Sequence, residues 1–138
     1  MPSINEVRIM GHLGNDQETK FTQSGVPVTN LSVATTRSYK ASPDAKEWTQ
    51  VTTWHRVVAW RVPEKMLDYL RKGNLVMVKG RLETRSYDKD GETRWVTEII
   101  ADQGGVMFLR EPYRSGPKDE DAPAERDMPP IDDADIPF

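Results

Sequence analysis

The run Thr53-Trp54-His55-Arg56-Val57-Val58-Ala59-Trp60 is rich in β-branched and aromatic side chains and holds no Gly or Pro. That composition specifies a β-strand. Strand side chains alternate between faces. Trp54, Arg56, Val58 and Trp60 therefore share one face, and Thr53, His55, Val57 and Ala59 the other. Two indoles with a guanidinium between them suit a polymer of bases and phosphates, because bases stack on rings and cations hold phosphates. The same pattern also suits two core tryptophans with Arg56 at a rim, and alternation alone leaves both readings open.

Other strands flank this one. Asn5 to Leu13 alternates weakly and reads as a first strand, with Gly11 and Gly14 near its end, where a sheet can bend. Thr19 to Thr22 reads as a short strand, and Ser24-Gly25 as a turn. Val26 to Arg37 is a second long strand, in which the apolar phase slips between Val28 and Leu31, suggesting a β-bulge or a barrel corner. Ser38 to Lys46 is a polar loop interrupted by Pro43, and Glu47 to Trp60 is the third strand.

Pro63 opens a helical signal, with Met66, Tyr69 and Leu70 on one face and Arg71-Lys72-Gly73 as its ending, predicting a helix at about 63–72. Leu75 to Thr84 is the fourth strand, with Val76, Val78, Gly80 and Leu82 facing in. Asp88-Lys89-Asp90-Gly91 is a hairpin turn. Arg94 to Ala101 is the fifth strand, broken by Gly104-Gly105, with Val106 to Leu109 as a closing edge. Five strands with one helix between the third and fourth is the order of an all-β, five-stranded OB-fold barrel. A sandwich wants about seven strands, and a doubly wound sheet more helices.

The net charge of −3 hides an asymmetry: residues 1–111 carry 16 Lys+Arg and 14 Asp+Glu, while residues 112–138 carry 3 and 8. Those last residues also hold six of the ten prolines. The expected organisation is an OB-fold domain over 1–110 and a disordered acidic tail over 111–138. The tail ends Asp132-Asp133-Ala134-Asp135-Ile136-Pro137-Phe138, and a carboxylate beside a large ring is a compact ligand for a basic, apolar pocket on a partner. The chain has no Cys and only two His, and no phosphate loop, dinucleotide fingerprint or nucleophile elbow. Neither an enzyme, a cofactor nor a metal site is therefore expected. No signal pattern and no membrane-length apolar run is present, and a soluble cytoplasmic protein is expected.

The sequence resembles the bacterial single-stranded-DNA-binding protein family. The resemblance rests on Asn5-Glu6-Val7, Gly11-His12-Leu13-Gly14-Asn15-Asp16, Ala34-Thr35-Thr36, Trp54-His55-Arg56-Val57-Val58, Tyr69-Leu70-Arg71-Lys72-Gly73 and Asp135-Ile136-Pro137-Phe138. It implies a homotetrameric OB-fold, associated with the nucleoid, that binds single-stranded DNA without sequence preference. It further implies an acidic tip that recruits replication, recombination and repair proteins.

The resemblance assigns base stacking to Tyr39, Trp54, Trp60 and Tyr87, where the family usually has Trp, Trp, Phe and Trp. Phosphate contacts fall on Lys20, Arg56, Lys72 and Arg85, with Lys40 beside Tyr39. His55 falls at a subunit interface, and Asp132, Asp133, Asp135, Ile136, Pro137 and Phe138 form the partner-binding tip. Tyr39 and Tyr87 are expected on loops above a groove shared with Trp54 and Trp60. Trp48 is a candidate fifth ring, and Trp95 a packing or interface residue. The alternative function is an OB-fold primosome-type adaptor that works mainly through protein contacts.

Overall fold

The computed structural model describes residues 1–109. Its elements run β1 (Val7–Leu13), β2 (Glu18–Phe21), β3 (Pro27–Tyr39), β4 (Thr49–Trp60), α1 (Glu64–Leu67), β5 (Leu75–Lys89) and β6 (Glu92–Phe108). The strand order is β1-β5-β6-β4-β3-β2, and an added β1–β3 pairing closes β1, β5, β6, β4 and β3 into a five-stranded barrel. Among the described residues, β4 and β6 alone pair in parallel, through Val57↔Ile99 and Val58↔Ile100. This is the OB-fold that the strand order predicts, with β2 as a short flap on β3.

Closure depends on Gly11. From there β1 is shared between two strands: Gly11 and His12 pair with Val76 and Leu75 of β5, while His12 and Leu13 pair with Ala34 and Val33 of β3. A Cβ on Gly11 would lie 2.0 Å from the Ala34 carbonyl oxygen, so only a residue without a side chain permits the approach.

The barrel interior is filled by Leu13, Leu31, Val33, Val57, Ala59, Val76, Val78, Ile99, Ala101 and Val106, with Leu70 sealing it from the α1 segment. A second buried cluster, Val28, Val58, Trp60 and Ile100 with Val26 against it, lies on the opposite face of the same strands. Each central strand thus has two buried sides over part of its length. That explains the phase slip in β3. Val28 packs outside and Leu31 and Val33 inside, while the β3–β4 register runs unbroken from Val28↔Trp60 to Tyr39↔Thr49. The β-bulge expected in this strand is absent.

The irregularity lies instead in β6. Val78 pairs with Val106 and Gly80 with Ala101, so residues 102–105 bulge opposite Lys79. The Gly104-Gly105 pair expected to break the strand forms this bulge, with Gly104 at φ 72°, and β6 continues to Phe108. The turn into β6 has Asp90 at φ 52° and Gly91 at φ 80°, the two positive-φ central residues of a type I′ hairpin.

The helix is shorter than the predicted 63–72. Beyond Leu67 the chain tightens into turns, with Tyr69 N–H donating to Met66 and Leu70 N–H to Leu67. It then engages β1 and the segment after it: the Leu70 carbonyl accepts from Gln17 N–H (2.9 Å) and Gly73 N–H donates to the Leu13 carbonyl (2.7 Å). Lys72 N–H donates to Asp16 Oδ1 (2.9 Å). Holding the β1–β2 connection and seating Leu70 in the core override the helical spacing. No helix among the described residues is long and apolar enough to cross a membrane.

Candidate nucleic-acid interface

The site is the outer face of the β3–β4 pair and its neighbours. Register puts Ala34 beside Trp54, Ser32 beside Arg56, Asn30 beside Val58 and Val28 beside Trp60. Lys20 of β2 is in line with Val28, so Lys20, Val28 and Trp60 form one row across three strands. Trp54 and Arg56 are half-buried and Lys20 is exposed. A ring and two cations thus share the face that alternation in β4 predicted.

Trp60 departs from the expectation of an open stacking ring. It is 7% exposed, packed with Val28, Val58 and Ile100. Its ring lies outside the barrel but is covered by the apolar residues of three strands. It forms the floor of this face rather than a platform on it.

The β5–β6 arm contributes Tyr87 and Arg85, in register with Arg94 and Val96. Tyr87 is half-buried and lies within β5, not on a loop. Arg85 differs from the free phosphate contact expected of it. Its Nε donates to Glu98 Oε1 at 2.7 Å, in an ion pair whose side chains are 16% and 3% exposed. A carboxylate that buried needs a partner, and the guanidinium is committed to it.

The β3–β4 arm divides its rings between faces. Tyr39 ends β3 in register with Thr49, on the odd-numbered side that carries Val33 and His55. It is therefore a strand residue on the face opposite Trp54, and the single groove of four rings expected from the sequence does not form along this arm. The Arg37 guanidinium lies 5.2 Å from the Tyr39 ring centroid. Trp48 is 63% exposed, with Lys40 Nζ 5.1 Å from its ring centroid. Lys72 lies in the turn after α1, beside Asp16, and not on the β3–β4 pair. Trp95, expected as a packing or interface residue, is 70% exposed in register with Ser86, so it does not pack within this chain.

His55 shares a 2.8 Å hydrogen bond between its Nε2 and Thr35 Oγ1. Burial lowers its pKa below the ordinary histidine value by penalising the charged ring. Four buried side-chain polar atoms have no hydrogen-bond partner among the described residues: Glu18 Oε2, Asn30 Oδ1, Trp60 Nε1 and Glu98 Oε2. Sequence periodicity gives no sign of these, since it does not say which polar residues neighbours will cover. No group of three or more His, Asp or Glu among the described residues is placed to hold a metal ion. The tail tip, Asp132 to Phe138, lies outside the described residues.

The Single-strand binding protein family matches residues 4–107. Single-stranded DNA-binding protein 1 of Chlorobaculum tepidum is 36% identical over 129 residues, covering 91% of this chain and 76% of that protein. The Plasmodium falciparum SSB in complex with ssDNA superposes with a TM-score of 0.67 at 29% identity, covering 80% of this chain and 98% of that one. A deletion mutant of the single-stranded DNA binding protein from Thermus aquaticus superposes with a TM-score of 0.66 at 28% identity, covering 80% of this chain and 53% of that one. With most of its length matched by the family and by these relatives, the chain belongs to the single-strand binding protein family.

Proposed function

We propose that this protein binds and protects single-stranded DNA without reading base sequence, and that it is not an enzyme. The observation that carries the reading is the outer β3–β4 face, where Trp54 and Arg56 lie two residues apart on one strand with Lys20 on the same side. Trp54 stacks on a base, a contact worth about 1–3 kcal/mol. Arg56, Lys20 and Lys40 hold phosphates, and Tyr87 extends the track onto the β5–β6 arm. Trp60 supports the face from beneath. Tyr39 and Lys72 meet DNA only where the strand leaves this face, and Arg85 contributes field rather than a free contact. Stacking does not engage base edges, so sequence preference is weak, and a duplex hides its base faces.

The finer reading extends to assembly and partners. The chain works as a homotetramer in the cytoplasm, at the nucleoid, with His55 at a subunit contact. Asp132, Asp133, Asp135, Ile136, Pro137 and Phe138 recruit replication, recombination and repair proteins. The excess of 8 acidic over 3 basic residues in 112–138 supports a second role, competition with DNA for the basic face. Deleting that segment raises DNA affinity at low salt, and unchanged affinity rules the competition out.

Titration with an oligothymidylate at several salt concentrations, read by tryptophan emission, tests the main reading. Strong quenching is expected, with a log–log salt slope of about −0.7 per neutralised phosphate. A duplex of equal length binds weakly. Absence of binding to the single strand overturns the proposal.

A further inference from the structure

Two rings sit near the far end of the β3–β4 arm, and the unbroken register separates them. Tyr39 pairs with Thr49, and the residues on its side continue through Arg37↔Val51 and Thr35↔Thr53 to Val33↔His55. The other side runs from Ala34↔Trp54 through Thr36↔Thr52 to Ser38↔Gln50. One further step of alternation reaches Lys40 and Trp48, and the 5.1 Å approach of Lys40 Nζ to the Trp48 ring continues that pairing just past the strand ends. Trp48 therefore belongs to the Trp54 side and Tyr39 does not.

We infer that Trp48, with Lys40 over its ring, is a base-stacking residue of this protein, and that on the Trp54 track it takes the role the family pattern gives to Tyr39. The inference rests on the single-stranded-DNA reading above and adds a residue to it. Trp48 has no packing role to explain it: it is 63% exposed and belongs to neither apolar cluster. Between the two indoles lie only Ser38, Gln50, Thr36 and Thr52, the last two sharing a 3.1 Å hydroxyl contact. This short, neutral, hydrogen-bonded floor leaves a path for a strand. Six residues of β-strand set the rings about 20 Å apart, roughly six nucleotides at a stacked rise and fewer if the strand is stretched. A cation stands at each end of the path, Lys40 at Trp48 and Arg56 beyond Trp54. That arrangement suits a phosphate polymer.

The test uses the full chain with a long oligothymidylate and, in parallel, an abasic oligomer of equal length. Trp48→Ala weakens binding of the oligothymidylate roughly 5- to 150-fold, the range of one lost stack. Trp48→Phe restores most of it, and Trp48→Leu, apolar but without a π face, does not. Tyr39→Ala weakens binding less than Trp48→Ala. The abasic oligomer does not distinguish wild type from Trp48→Ala, since a phosphate-only contact has no base to lose. Wild-type affinity in Trp48→Ala, or a larger loss in Tyr39→Ala, overturns the inference while leaving the broader reading intact. Failure of the wild-type chain to bind the oligothymidylate overturns both.

Discussion

Arg85 and Glu98 form a 2.7 Å ion pair across the β5–β6 register, with the carboxylate almost wholly enclosed. Removing one partner of such a pair leaves an uncompensated buried charge, which typically costs 3–5 kcal/mol. Arg85→Ala therefore lowers unfolding stability by about 3 kcal/mol, read as a fall in the urea midpoint. The double variant Arg85→Ala, Glu98→Leu recovers much of the loss. Equal midpoints for Arg85→Ala and wild type would show the pair to be inert.

Trp54 and Trp60 lie on one face but do different work, and substitution separates them. Trp54→Ala costs about 1–3 kcal/mol of DNA binding with little change in stability. Trp60→Ala empties the centre of the outer cluster and destabilises by about 3–5 kcal/mol, measured by denaturant unfolding without DNA. A Trp60→Ala protein as stable as wild type contradicts the burial of this ring.

The folded state lowers the pKa of His55 through burial. The unfolded chain thus binds a proton more readily than the folded one between the ordinary histidine pKa and the lowered folded value. Stability from this residue is complete above the unfolded pKa and declines as pH falls through that window. Below the folded pKa it loses no more. Unfolding midpoints measured from neutral to mildly acid pH fall more steeply for wild type than for His55→Gln. Parallel pH profiles would remove His55 as the cause.

Gly11→Ala places a methyl carbon 2.0 Å from the Ala34 carbonyl oxygen, a backbone group that cannot swing aside, with the Val33 side chain also close at 3.2 Å. The β1–β3 seam must open to admit it. A loss of at least about 3 kcal/mol, in the range reserved for a named steric cause, is expected. Thermal unfolding measures it, and near wild-type stability would mean that closure does not depend on this approach.

Much of the fold was legible because strand and turn signals are local. Thr53–Trp60 lies wholly within β4. Asp90-Gly91 forms the turn expected of it, since positive φ favours those residue types. Errors arose where distant backbone claimed a segment. Leu70 had to reach the core and Gly73 to bond Leu13, and the helix stopped at Leu67. Gly104-Gly105 became a bulge because Val78 and Gly80 hold β6 on either side of it.

The amino-acid order alone determined that Trp54, Arg56, Val58 and Trp60 share a face, because side-chain alternation is a property of one strand. Tertiary structure alone decided what that face meets. Pairing of β4 with β3 and with β6 set Val28 and Ile100 against Trp60 and buried it, and the β5–β6 register handed Arg85 to Glu98. The β3–β4 pairing set Tyr39 on one side of the arm and Trp54 on the other. Exposure, pairing and a shared face across strands depend on register between residues far apart in the chain, which no local pattern encodes.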